Sequence, residues 1–185
     1  MTNPFSGIGK TKASMDANYV TPGHYVNRID RVILKKNRTG SDIFIIEMTV
    51  LHALSVEETV MNGKTLSSNR EGLPCSQLIS FAGAGAEMAL PNIKAFAQAV
   101  VEGFVEAQDQ KDAEGNDLQE LVLASIVSDD QPLAGMMVEV TARSIRTKKD
   151  TDYTKVSYVG EVDNAWRLKR GLITQEQMDL LTAEG

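Results

Sequence analysis

The sequence predicts a mainly β domain with inserted helices: a small five-stranded barrel, a helical insertion between strands three and four, and a C-terminal helix. Three observations predict it. Tyr25–Leu54 holds two strand-like runs around a basic turn, Lys35-Lys36-Asn37-Arg38-Thr39-Gly40-Ser41. A similar unit returns at Met136–Gly160, around Arg146-Thr147-Lys148-Lys149-Asp150. Between the two lies a segment whose apolar residues repeat with a helical period. Two basic-tipped hairpins on one barrel would set their charged loops on one side.

A chain of 185 residues is the size of one domain. We divide it into an N-terminal arm over 1–22, a main domain over 23–162 and a helical tail over 163–185. Apolar residues make up 42% of the chain, enough for a real core. The net charge of -6 excludes a surface coated in positive charge but leaves room for a local basic patch. Cys75 is the sole cysteine, so no internal disulfide forms, and with His24 and His52 it makes a poor zinc set. No apolar run is long enough to span a membrane, and the N-terminus lacks the apolar stretch of a secretory signal. The expected location is the cytoplasm, a host cell's if the chain is phage-encoded.

The arm is rich in Gly, Ser, Thr and Asn and carries Lys10 and Lys12; Pro22-Gly23 closes it as a turn. Its Gly7-Ile8-Gly9-Lys10-Thr11 lacks the first glycine of a phosphate loop and follows no strand, so it is not an ATP site. The first strand covers 24–36. Its apolar residues break a strict period of two, as a bulged strand does. A bulge between Arg28 and Arg31 would put both on one face. The second strand, 42–54, carries the continuous run Ile43-Phe44-Ile45-Ile46, which points to burial on both faces. Residues 55–74 hold turns at Met61-Asn62-Gly63-Lys64 and at Arg70–Pro74 and are a loop or a small extra hairpin. The third strand is 75–81, with Cys75 as a small buried hydrophobe.

Pro91–Val105 is a helix: Ile93, Phe96, Ala97, Val100, Val101 and Phe104 recur at helical spacing. Leu118–Val127 suggests a second. Glu102–Glu120 carries seven acids against one lysine, a solvated face that explains the negative total. The fourth strand, 135–146, and the fifth, 153–160, alternate cleanly, with Arg143 and Lys155 on exposed positions. Thr174 with Gln177 forms a capping box for the tail helix over 174–181.

No constellation in the chain amounts to a catalytic set, and none calls for a cofactor or a metal. The expected activity is therefore binding, not catalysis. The positive signal is electrostatic. Arg28, Arg31, Lys35, Lys36 and Arg38 cluster on the first hairpin, and Arg143, Arg146, Lys148, Lys149 and Lys155 on the second. Tyr25 and Tyr153 stand among them. Cations track phosphates and exposed rings stack bases, a combination that holds single strands with little sequence preference. The competing reading makes the lysines ordinary solubilising charge and the aromatic rings core.

Five strands with a helical insertion after the third is the order of an OB-fold, whose face and loops bind oligonucleotides. The chain also resembles the single-stranded DNA-binding proteins encoded by tailed bacteriophages. The resemblance spans about residues 23 to 160. It rests on Gly23-His24-Tyr25, the strand-turn-strand Ile29–Leu54, the helix Asn92–Val105, the closing Leu133–Val140 and its Tyr-containing partner Tyr153–Tyr158. It implies an OB-fold and a role in protecting single-stranded DNA during replication or recombination, with replication or recombination proteins as further partners. Many such proteins end in an acidic tail. This chain ends in Thr182-Ala183-Glu184-Gly185 instead, so partner recruitment falls to the tail helix. An edge strand or that helix is also a candidate homodimer contact. The alternative is a phage structural or assembly protein built on a barrel with no nucleic-acid role.

Overall fold

β1 (Gly23–Lys36) is the central strand of the fold in the computed structural model, which describes residues 19–183. It pairs on one side with β2 (Asp42–Val56) and on the other with β6 (Met137–Arg146), both antiparallel. β5 (Pro74–Ser80) extends the sheet beyond β2, and β7 (Asp152–Glu161) extends it beyond β6. The order is β5-β2-β1-β6-β7. β3 (Glu58–Met61) and β4 (Lys64–Ser67) form a separate hairpin. Its turn puts Asn62 at φ 49° and Gly63 at φ 75°, the conformation that Asn-Gly favours in a tight hairpin.

β1 carries the bulges that its broken alternation suggested. The register slips at three places, and at one of them Asp30 is passed over between Ile29 and Arg31. Arg28 then lies opposite Thr49 and Arg31 opposite Glu47, so both arginines reach the same face. On β2, Ile43, Phe44, Ile45 and Ile46 are all buried, as a run without polar alternation requires. Phe44, Ile46, Met48 and Val50 point into the main core with Tyr25, Ile29, Val138 and Val140.

A 3-10 turn over Gly83–Met88 leads into α1 (Ala89–Val100). The helix ends earlier than its apolar spacing suggested. Val101 is already extended and Gly103 turns at φ 75°, a conformation that costs glycine little. α1 lies against β5 and β7. Its Phe96 is fully buried and meets Phe44 and Tyr158 edge-on, at 6.1 and 4.8 Å. α2 (Leu118–Ile126) is capped by Asp117, which accepts from Glu120 N. After β7 come α3 (Asn164–Lys169), capped by Asp163, and α4 (Gln175–Ala183). The capping box is present in both directions: Gln177 N donates to Thr174 Oγ1, and Thr174 N donates to Gln177 Oε1.

The expected five-stranded barrel is not formed. β5 and β7 are the outer strands of an open sheet, and no ladder joins them. The physical reason lies at their edges, where other groups already hold backbone positions. On β5, Val20 N donates to Ser76 O at 3.0 Å. On β7, the Asn62 side chain takes both backbone groups of Asp152, donating to its carbonyl and accepting from its N–H, each at 2.9 Å. Phe96 also packs against Tyr158 on β7. The OB-fold expectation is therefore corrected to an open five-stranded antiparallel sheet with helical insertions.

Candidate functional site

The open edges face one another across a cleft. Antiparallel pairing turns a strand's N–H and C=O groups alternately toward and away from its partner. Asp152 bonds outward to Asn62, so Thr154 and Val156 turn their backbone groups outward too. Ser76 accepts from Val20 outward, so Leu78 and Ser80 do the same on β5. Two adjoining cavities of about 670 and 560 Å³ fill this space, and both are lined by Gln77, Leu78, Thr154 and Val156. Tyr158 ties the two strands at one point, donating its hydroxyl to Gln77 Oε1 at 2.6 Å.

The first cavity opens toward Tyr19 and Arg70, and the second toward Tyr153 and Lys155. Tyr19 is 54% exposed and Tyr153 47%. Arg70 and Lys155 are the charged lining residues, and no carboxylate lines either cavity. Tyr19 is held at the rim by Asn69. Asn69 Nδ2 donates to Tyr19 O, and Asn69 Oδ1 accepts from Thr21 N. Tyr25 completes this knot from inside, donating to Thr21 O and Pro22 O and accepting from Asn69 N.

The residues singled out in the sequence separate into three groups. Tyr25 is fully buried, so its ring is core and offers no stacking face. Arg28, Arg31, Lys36 and Arg146 are exposed but tied to acids: Asp30 at 2.9 Å, Glu47, Asp42 at 2.9 Å and Asp150 at 2.7 Å. Glu47 holds the Arg31 guanidinium charge more firmly, raising its pKa, and Arg146 draws the Asp150 carboxyl below its usual range. Lys35, Arg38, Arg143, Lys148, Lys149 and Lys155 are exposed and make no ion pair among the described residues.

The two basic turns do not share one side of the sheet. Gly23 lies opposite Ala142 and Arg28 opposite Met137. β1 therefore carries its turn, at Asn37–Ser41, past one end of β6, while β6 carries Thr147–Thr151 past the other. The turns are built alike. Asn37 N donates to Ser41 O and Thr147 N to Thr151 O, both at 2.8 Å. Gly40 and Asp150 supply the positive φ, at 84° and 62°.

On the second hairpin the geometry brings predicted residues together. Arg143 sits opposite Lys155, and Ile145 opposite Tyr153. These pairs occupy one face, so Arg143 stands one strand in from Lys155 at the cleft. Tyr19, Arg70 and Gln77 escaped the sequence reading. Tyr19 falls in the N-terminal arm and Arg70 in a turn. Both reach the site only because Asn69 and the Ser76 bridge fold those segments onto β5.

A comparison with protein-family models gave no match, and a comparison with curated proteins gave none either. The resemblance to phage single-stranded DNA-binding proteins is withdrawn on the topology, because their closed barrel is not what this chain forms. The DNA-binding role inferred from an OB barrel loses that support as well. Among the described residues no group of three or more His, Cys, Asp or Glu side chains could hold a metal ion. Cys75 is buried, and burial pushes its thiol up to about 12, with the Asp30 charge adding to the effect. A thiol so raised stays protonated and is a weak nucleophile. No helix is long and apolar enough to cross a membrane among the described residues.

Proposed function

We propose that this protein binds single-stranded DNA without catalysis, holding an extended strand in the cleft between β5 and β7. One observation carries the reading: the cleft has an exposed tyrosine toward each mouth, cationic charge on both walls and no carboxylate in its lining. Tyr19 and Tyr153 offer stacking faces, each worth roughly 1–3 kcal/mol per base. Arg70, Lys155 and Arg143 offer phosphate contacts. The outward N–H and C=O groups of the two edges supply hydrogen-bonding partners for bases along the path. Affinity is spread over stacking and phosphate contacts, so the binding is largely independent of sequence and suits protection of exposed single strands.

Fluorescence anisotropy of a labelled, unstructured oligonucleotide tests the proposal, at low and high salt, beside a duplex of equal length. The expected result is salt-sensitive binding that favours the single strand. Tyr19→Ala and Tyr153→Ala each weaken it. No binding at low salt, or equal binding of the duplex, overturns the proposal.

A further inference from the structure

We infer that Gln77 reads the base held in the cleft and favours one presenting a carbonyl oxygen over one presenting an amino group. The inference rests on the proposal that single-stranded DNA lies between β5 and β7. Gln77 and Thr154 are the polar side chains common to both linings; Thr154 Oγ1 donates to Met61 Sδ, and Gln77 carries an amide that can donate and accept. Its orientation is set from below. Tyr158 donates its hydroxyl proton to Gln77 Oε1, and the Tyr158 ring is wedged against Phe96. The 2.6 Å separation is the length of an O–H···O bond and is short for an N–H···O bond, so the amide turns its oxygen toward Tyr158.

With the oxygen occupied, Gln77 has its two Nε2 protons left. None of the described residues accepts from them. Nε2 is not sealed off either: the buried side-chain polar atom without a partner among the described residues is Asn27 Oδ1, not Gln77 Nε2. The cleft therefore presents a fixed donor pair where the two cavities meet. A donor pair suits O4 of thymine or O6 of guanine. It opposes the N4 amino group of cytosine and the N6 amino group of adenine at the same position. Stacking and phosphate contacts ignore the base, so the donor pair adds a preference at this position.

The test compares oligo(dT) with oligo(dC) of equal length, two pyrimidine strands that differ in this group. The full chain is titrated into each by anisotropy. The wild type is expected to bind oligo(dT) more tightly by roughly 2- to 10-fold, the range of one hydrogen bond. Gln77→Leu should bring the ratio close to unity. Gln77→Glu should turn it toward oligo(dC), since a carboxylate accepts from the cytosine amino group. Tyr158→Phe, which frees the amide to rotate, should also flatten the ratio, and it decides the matter if a Gln77 variant fails to fold. An unchanged ratio in the folded variants overturns the role of Gln77 while leaving the proposed function standing. Absence of wild-type binding to either strand overturns both.

Discussion

Removing Arg143 should change the salt dependence of binding, and removing Arg31 should not. Both are exposed arginines on strands of one sheet. They differ in what they touch. Arg31 is gripped by Glu47 through two hydrogen bonds on its Nε edge, so the pair is close to neutral and attracts a phosphate less than an unpaired arginine does. Arg143 has no acidic partner among the described residues and lies beside Lys155 at the cleft. Arg70, Arg143 and Lys155 are then three cations available to phosphates. Each phosphate contact with a single strand contributes about −0.7 to the slope of log affinity against log salt, so together they give a slope of about −2. Affinity should fall roughly 20-fold between about 50 and 200 mM salt. In Arg143→Ala the slope should drop to about −1.4 and the same salt change should cost about 7-fold. Arg31→Ala should keep the wild-type slope. The assay is anisotropy at four or five salt concentrations for the three proteins. Equal loss of slope in Arg31→Ala and Arg143→Ala would refute the reasoning, because it would mean that ion pairing with Glu47 does not decide which cations meet the DNA.

Three further outcomes concern the scaffold. Gly23→Ala sets a Cβ against the buried Tyr25 hydroxyl, which is itself held by Thr21, Pro22 and Asn69; overpacking of this kind should lower stability by about 1–3 kcal/mol in urea melts. Wild-type stability in that variant would show that the knot can move. Phe96→Ala removes a fully buried ring wedged between Phe44 and Tyr158 and should cost about 3–5 kcal/mol, measured the same way. The third is a pH dependence. Arg167 Nε and NH2 both lie 3.1 Å from His52 Nε2, so α3 is docked on β2 through a neutral imidazole. Burial, then the Arg167 charge, lowers the His52 pKa below its ordinary 6.5. The unfolded chain therefore takes up the proton first. The stability from this contact is complete above pH 6.5 and declines as pH falls toward the lowered folded value. Thermal melts followed by fluorescence of Trp166, the sole tryptophan, should show this decline, and His52→Gln should flatten it.

Much of the local structure is legible in the sequence because its causes are local. The alternation of Met136–Val159 sets β6 and β7. Asn62-Gly63 sets a tight turn, Thr174 with Gln177 sets a helix start, and the unbroken Ile43–Ile46 run sets a doubly buried strand. The bulge between Arg28 and Arg31 follows from a broken period and is found at Asp30. Charge is legible as composition only. The sequence shows ten cations on two hairpins but not which of them an acid neutralises, since Arg31 meets Glu47 across a strand register that the bulge decides.

Closure was not legible at all. Five strands and a helix in the right order suit a closed barrel and an open sheet equally well, because the edge that would close it lies between segments far apart in the chain. Here Asn62 reaches Asp152 and Val20 reaches Ser76; these long-range contacts occupy edge positions of β7 and β5, which stay unpaired with each other. What local patterns encode is the five strands of the sheet, the tight turns, the Thr174–Gln177 cap and the apolar face of α1, each set by residues within a few positions of one another. Only the tertiary structure decided that Tyr25 is core, that Tyr19 and Arg70 join Tyr153 and Lys155, and that an unzipped pair of edges becomes a cleft. Those outcomes depend on which distant groups satisfy an edge strand's exposed hydrogen bonds, and no local pattern encodes that choice.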